Sequence, residues 1–235
     1  MYNMDCLEYM RQLPDKYFDL AVCDPPYGGA GEDGELRNER GRFKKYESEI
    51  SCGRTGGTWA TKYGTSIKEW DVAPSQEFFD EVMRVSKNQV IWGANYFTMP
   101  PTRCFLVWRK LTISESFTMA MAEYAWTSFN QNAKVFEFPP QGNPNDPRFH
   151  PTQKPVELYA WILRNFGNGG GRIFDPMCGS GSSRIAAYKL GFDFYGCEIN
   201  KEYYDKSIER FNRECLGISK TKSGKTVVEL SLFDF

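Results

Sequence analysis

Apolar residues fall along this chain in two rhythms, short near-continuous runs and longer stripes at helical spacing. The first run, Phe18–Cys23, is apolar at nearly every position, which is the pattern of a strand buried on both faces of a parallel sheet. Comparable runs predict strands at residues 89–92, 105–108, 172–175 and 193–197. Ser75 precedes a stripe of Phe78, Phe79, Val82, Met83 and Val85, so a helix is predicted from about residue 75. Further helices are predicted at 156–166, from the glycine turn at 179–181 to about 190, and from 201 to about 216, the last one heavily charged. Residues 123–138 read as a hairpin. Strands alternating with helices predict an α/β fold, with a mostly parallel sheet covered on both faces.

The first strand ends in Asp24-Pro25-Pro26-Tyr27, at the edge where open α/β sheets place their ligands. Two prolines fix φ and lack N–H groups, so the ladder stops there and the Pro25 carbonyl points out of the sheet. An ionised Asp24 and that carbonyl can each accept one hydrogen of an exocyclic amine on a flat heterocycle, and Tyr27 can stack on the ring. Drawing both hydrogens toward acceptors frees the nitrogen lone pair for attack on an activated methyl group.

A second site is predicted where the strand at 172–175 turns into a helix through Phe174-Asp175-Pro176-Met177-Cys178-Gly179-Ser180-Gly181. Glycines let a ligand approach the backbone, and the helix start offers unpaired N–H groups. Arg184 stands where the dinucleotide fingerprint has its third glycine, which argues against a nicotinamide cofactor. The next strand runs into Glu198, where an acidic side chain can accept from both hydroxyls of a ribose. Turn, helix and acidic strand end describe an adenosine-binding half.

These residues resemble the amino-group DNA methyltransferases that use S-adenosylmethionine. Asp24-Pro25-Pro26-Tyr27 is similar to the family's catalytic motif and Phe174 to Gly181 to its cofactor loop. Met4-Asp5-Cys6 resembles the segment that contacts the cofactor adenine, and His150-Pro151-Thr152-Gln153-Lys154-Pro155 the segment before the helix that closes over the cofactor. The catalytic motif precedes the cofactor loop, which is the permuted order of the family's β class. The resemblance implies a Rossmann-like methyltransferase fold with seven strands. It also implies that Asp24, Pro25, Pro26 and Tyr27 hold the target base and that Asp175 contacts the methionine ammonium. Phe174, Pro176, Cys178, Gly179, Ser180 and Gly181 would then form the cofactor cradle, with Asp24 bordering it. Glu198 would hold the ribose, and Ile199, Asp5 and Cys6 would meet the adenine. Thr152 and Lys154 would sit near the methionine carboxylate. A leading Asp favours adenine N6 in DNA over cytosine N4; N-methylation of RNA or of a protein amide is the third alternative.

Charge and cysteine usage narrow this picture. A net charge of −1 in 235 residues means that double-stranded DNA must be met by a local patch rather than by a global field. Seven cysteines without a C-x-x-C pair argue against a disulfide framework and against a metal site. A single histidine, His150, leaves little material for a nucleophilic triad. With no secretory leader and no apolar run long enough for a bilayer, a cytoplasmic enzyme without membrane association is expected.

One methyltransferase domain over 1–235 is expected, with three appendages. Residues 28–69, glycine-rich and carrying Arg37, Arg40, Arg42, Lys44, Lys45 and Arg54, read as a loop beside the catalytic motif that could close on DNA phosphates. Residues 127–149 leave little room for target recognition, so specificity is relaxed, resides in the 28–69 loop, or needs a homodimer. In the tail at 218–235, Glu229-Leu230-Ser231-Leu232-Phe233 resembles the peptide by which bacterial replication proteins dock on the sliding clamp, against the alternative of a final edge strand at 226–232.

Overall fold

The computed structural model describes residues 1–27, 72–115, 120–220 and 226–228. The 28–69 insertion and the clamp-like peptide at 229–233 therefore lie outside the described residues. Two compact units are present, one formed by Met1–Asp24 with Phe78–Phe235, the other by Pro25–Glu77.

A seven-stranded sheet organises the first unit. Its strands are β1 (Phe18–Cys23), β2 (Ser86–Trp92), β3 (Phe105–Arg109), β4 (Ala122–Thr127), β5 (Lys134–Glu137), β6 (Arg172–Asp175) and β7 (Asp193–Gly196), in the order β5-β3-β4-β2-β1-β6-β7. Pairings are parallel throughout except those of β4, which is antiparallel to both β2 and β3. Strands β1, β2 and β6 are buried almost end to end, as the continuous apolar runs required.

Helices cover both faces. On one face α3 (Val156–Phe166) and α4 (Ser182–Lys189) bury Leu158, Ile162, Leu163, Ala186 and Ala187 against Leu20, Val22, Val90, Trp92 and Leu106. On the other, α1 (Cys6–Met10) and α2 (Gln76–Val85) bury Met10, Phe78, Phe79, Val82 and Val85 against Phe18, Ala21, Ile91 and Phe174. A further helix, α5 (Lys201–Leu216), starts at an Asn200 cap that accepts from the Glu202 and Tyr203 amides and stops at Gly217 with φ 64°. A separate two-stranded ribbon joins β8 (Ile218–Lys220) to β9 (Thr226–Val228). No helix among the described residues is long and apolar enough to cross a membrane.

The predicted hairpin at 123–138 is not formed. Strands β4 and β5 lie on opposite sides of β3 rather than against each other. The chain between them passes over the start of β3, where Arg103 donates to the Asn130 and Asn132 side chains and Cys104 to the Asn132 carbonyl. The Trp108 indole then fixes the far end of β5 by donating to the Phe138 carbonyl at 2.9 Å. Lys134–Glu137, in the middle of the short segment read as a recognition region, is thus a strand of the central sheet.

Candidate active site

Three acidic residues occupy the carboxyl ends of three adjacent parallel strands. Asp24 follows β1, Asp175 is the last residue of β6, and Glu198 lies just beyond β7. Pro25, Pro26 and Tyr27 follow Asp24 outside any helix or strand and belong to the second unit.

The glycine turn is built as the sequence indicated. Gly179 and Gly181 have φ 50° and 74°, in the left-handed region that a side chain makes costly. Gly196 is needed for a different reason: a Cβ there would sit 2.3 Å from the Cys178 sulfur and 2.8 Å from the Asp175 carbonyl. The turn is tied to β7 through Cys178 N to the Cys197 carbonyl at 2.9 Å and Cys197 N to the Asp175 carbonyl at 3.1 Å. Glu198 accepts from Gly179 N through one carboxylate oxygen and from Asn200 N through the other, both at 2.8 Å. Each oxygen keeps a second lone pair for a diol. Burial raises the Glu198 pKa. Ile199, beside it, is 67% exposed, an apolar face open to a flat ring.

Asp175 is buried and accepts from Ser183 Oγ at 2.5 Å and Met177 N at 3.1 Å. Burial pushes its carboxyl up to about 7; the two hydrogen bonds oppose this and the nearby Asp24 and Glu198 add to it. A buried carboxylate held so near neutrality is poised to ionise against an arriving cation. Turn, diol acceptor, open apolar face and buried carboxylate together fit the adenosine, ribose and ammonium groups of S-adenosylmethionine.

Other expected residues fall around this cradle in different ways. Asp5 caps α1, its Oδ1 accepting from Leu7 N and Glu8 N at 2.8 and 3.0 Å, and Cys6 is buried with its thiol pushed up to about 12 by that burial. Phe174 is wholly buried, stacked on Phe18 at 4.4 Å, and so supports the cradle from within the core. Thr152 donates its amide to His150 Nδ1 at 3.3 Å. The His150 ring lies against Gly179 and packs edge-on to Tyr203. Burial lowers its pKa to about 3, with Arg148 and Lys154 adding to the effect, so His150 stays neutral. Cys178 and Ser180 are buried, and Ser180 Oγ meets Ser182 Oγ at 3.2 Å.

Lys154 belongs to a group of paired, mostly buried charges. Its side chain, only 4% exposed, forms an ion pair with Asp24 and a second one, at 3.1 Å, with Glu123. Glu123 in turn meets Lys110 at 2.5 Å. The antiparallel course of β4 explains this meeting, because Glu123 near its start lies at the edge where the parallel strands end. Neither Glu123 nor Lys110 was picked out from sequence. The signal available was an acidic residue inside an otherwise uncharged strand.

Buried Arg210 was also missed. It reaches from α5 to Asp146, donates to the Ser180 carbonyl at 2.9 Å and to Ser182 Oγ at 2.8 Å, and Ser182 Oγ donates to the Lys154 carbonyl at 2.7 Å. Asp146, the glycine turn and the Lys154 segment are thereby joined through one guanidinium. Among the described residues no cluster of side chains could hold a metal ion.

Residues 125–209 match the family model described as DNA methylase, of the N6/N4 kind. The type II methyltransferase M2.MboI of Moraxella bovis is 22% identical over 240 residues, covering 90% of this chain and 87% of that protein. M.BglII of Bacillus subtilis is 23% identical over 87% of this chain and 66% of its own length. Among solved structures, the M1.HpyAVI–SAM complex superposes with a TM-score of 0.50 at 20% identity, covering 90% of this chain and 98% of the other. The cytosine-N4-specific PvuII DNA methyltransferase gives 0.57 at 14% identity, over 90% and 85%. The seven-stranded, mostly parallel sheet is the Rossmann-like fold these structures share.

Proposed function

We propose that this chain, an amino-group DNA methyltransferase, transfers a methyl group from S-adenosylmethionine to the exocyclic N6 amine of an adenine flipped out of DNA. The observation that carries this reading is the placement of Asp24, beside Asp175 and Glu198, at the carboxyl edge of adjacent parallel strands. When bound, S-adenosylmethionine supplies a methyl group on a sulfonium sulfur that leaves with its electron pair. Asp175 would hold the ammonium, Glu198 the ribose hydroxyls, and Ile199 the adenine face, while the glycine turn gives the ligand access to backbone. Asp24 accepts one hydrogen of the target amine and receives the surplus proton as nitrogen gains the methyl group. The sequence motif assigns the second hydrogen to the Pro25 carbonyl and stacking to Tyr27, which together offset the few kcal/mol of unstacking the base.

Catalysis here rests on orientation and on acceptors already in place, so it needs neither a nucleophilic thiol nor an imidazole base. His150, neutral and packed on the cofactor turn, has a structural part instead. Transfer to cytosine N4 is the second reading, favoured by the fold likeness to the N4-specific PvuII enzyme. Unmethylated DNA incubated with the protein and S-adenosylmethionine, digested to nucleosides and analysed by mass spectrometry, tests both. N6-methyladenine is expected from the parent chain, and none from Asp24→Asn with cofactor affinity retained. Detection of N4-methylcytosine alone would replace adenine by cytosine as the target, and an Asp24→Asn chain as active as the parent would remove Asp24 from the mechanism.

A further inference from the structure

Among the described residues, Asp24 belongs to a row of alternating charges. Next to it is Lys154, then Glu123, then Lys110, each in ion-pair contact with its neighbours. The two lysines are almost fully buried, with side-chain exposures of 4% and 7%. Buried charges of this kind persist only where each is paired. The row also draws on three separate parts of the fold: the turn after β1, the segment before α3, and the facing ends of β3 and β4. Lysines at either end of Glu123 are further held against the Trp92 and Trp108 rings, at 5.8 and 5.2 Å.

Resting on the methyl-transfer reading above, we propose that Lys154, Glu123 and Lys110 act as a charge-sharing chain that sets how strongly Asp24 accepts from the target amine. A lone lysine against Asp24 would keep the carboxylate ionised but would also compete with the amine for its oxygens. Glu123 draws part of that positive charge away, and Lys110 limits how far it does so. Lys154 then guarantees the anionic form of Asp24 without saturating it as an acceptor. These three are positioning residues, since they act on the amine only through Asp24.

Charges around the row agree with this division. Burial opposes the ionisation of Glu123, but Lys154 and Lys110 outweigh it and hold the carboxyl down to about 2. Burial likewise opposes the charge on Lys154, and Asp24 and Glu123 overcome it, so the ammonium persists above its ordinary range. Among the described residues, Asp175 on β6, Tyr159 on α3 and Cys23 on β1 also interact electrostatically with Asp24. Burial raises Tyr159 and Cys23 well above their usual values, so both stay protonated. Saturating cofactor holds the charge of Asp175 constant while Lys154 and Glu123 are varied.

The test is the pH profile of single-turnover methyl transfer by the full chain at saturating S-adenosylmethionine and DNA. Lys154→Met removes the cation, so Asp24 protonates at higher pH, and the acid limb moves up with a loss of rate of about tenfold or more near neutrality. Glu123→Gln leaves Lys154 wholly on Asp24, so the acid limb moves down while the plateau rate also falls. Opposite displacements from two variants of one cluster are not produced by general loosening, and cofactor affinity with circular dichroism checks the fold of each. Should Lys154→Met fail to fold, Lys110→Met takes its place against Glu123→Gln, with an upward shift expected because Glu123 is then free to draw charge from Lys154. Coincident acid limbs, or shifts in the same direction for Lys154→Met and Glu123→Gln, overturn the proposal. A parent chain that marks cytosine overturns the adenine reading alone and leaves this comparison in force; one that marks neither base overturns both.

Discussion

At the scale of single residues, Asp175 is the most exacting test of the cofactor cradle. Its carboxyl is pushed up to about 7 by burial, so a sizeable share of the ligand-free protein is protonated there at neutral pH. A cationic ligand needs the ionised form. Binding must therefore release a proton below that pH, and affinity for S-adenosylmethionine should fall by up to about tenfold for each pH unit below 7. Calorimetric titration between pH 5 and 8 checks this, with Asp175→Asn expected to bind weakly and with a flatter pH dependence. A wild-type affinity unchanged from pH 7 to pH 5 would remove Asp175 as the ammonium partner. The positions of Asp24, Asp175 and Glu198 were legible in sequence because each ends an apolar run, and strand ends are where a parallel sheet exposes its ligands. Glu123 and Lys110 were not legible, since their partners lie at sequence distances that only the sheet order brings together.

Elements explain both where reading by pattern succeeded and where it failed. Helices α3 and α5 were predicted with the ends they have, because their stripes and stops are local. The 123–138 hairpin failed because two neighbouring strands joined by a short connection usually pair, and here β3 lies between them. Helix α5 carries a second non-local feature in Arg210. That guanidinium, 1% exposed, bonds Asp146 and the Ser180 carbonyl at once, and removal of one partner from a buried pair leaves the other charge unpaired. Arg210→Met should cost about 3–5 kcal/mol in urea unfolding and should weaken cofactor binding through the released turn. Arg213 reaches the same aspartate at 3.0 Å but is 40% exposed, and Arg213→Met should cost no more than about 1 kcal/mol. Equal losses for the two variants would mean that Arg210 does not organise the turn.

For the molecule as a whole, three buried groups with large shifts bear on acid stability, and their effects differ in sign. His150 has a pKa of about 3 in the fold against 6.5 when free. The unfolded chain therefore takes up a proton that the fold refuses, and stability is lost as pH falls from 6.5 toward 3. Asp175 acts oppositely: its carboxyl is protonated in the fold at about 7 against 3.8 when free, so stability is gained as pH falls from 7 toward 3.8. Glu123, about 2 in the fold against 4.5 when free, contributes stability above 4.5 that is lost on the way down to 2. Each full proton of difference changes stability by about 1.4 kcal/mol per pH unit. Between pH 6.5 and 4.5 the His150 and Asp175 contributions offset each other, and below about pH 4 the Asp175 gain is complete while His150 and Glu123 act together. The ligand-free protein should thus show nearly level unfolding free energy from pH 6.5 to 4.5 and a steep fall beneath it, read by urea denaturation at fixed ionic strength. His150→Gln should turn the level stretch into a rise on acidification, and Asp175→Asn should turn it into a decline that begins at 6.5. Saturating cofactor should act as Asp175→Asn does, because a carboxylate paired with the ligand's ammonium no longer takes up the proton. Parallel profiles for the parent and both variants would show that neither buried group carries the difference in proton binding assigned to it.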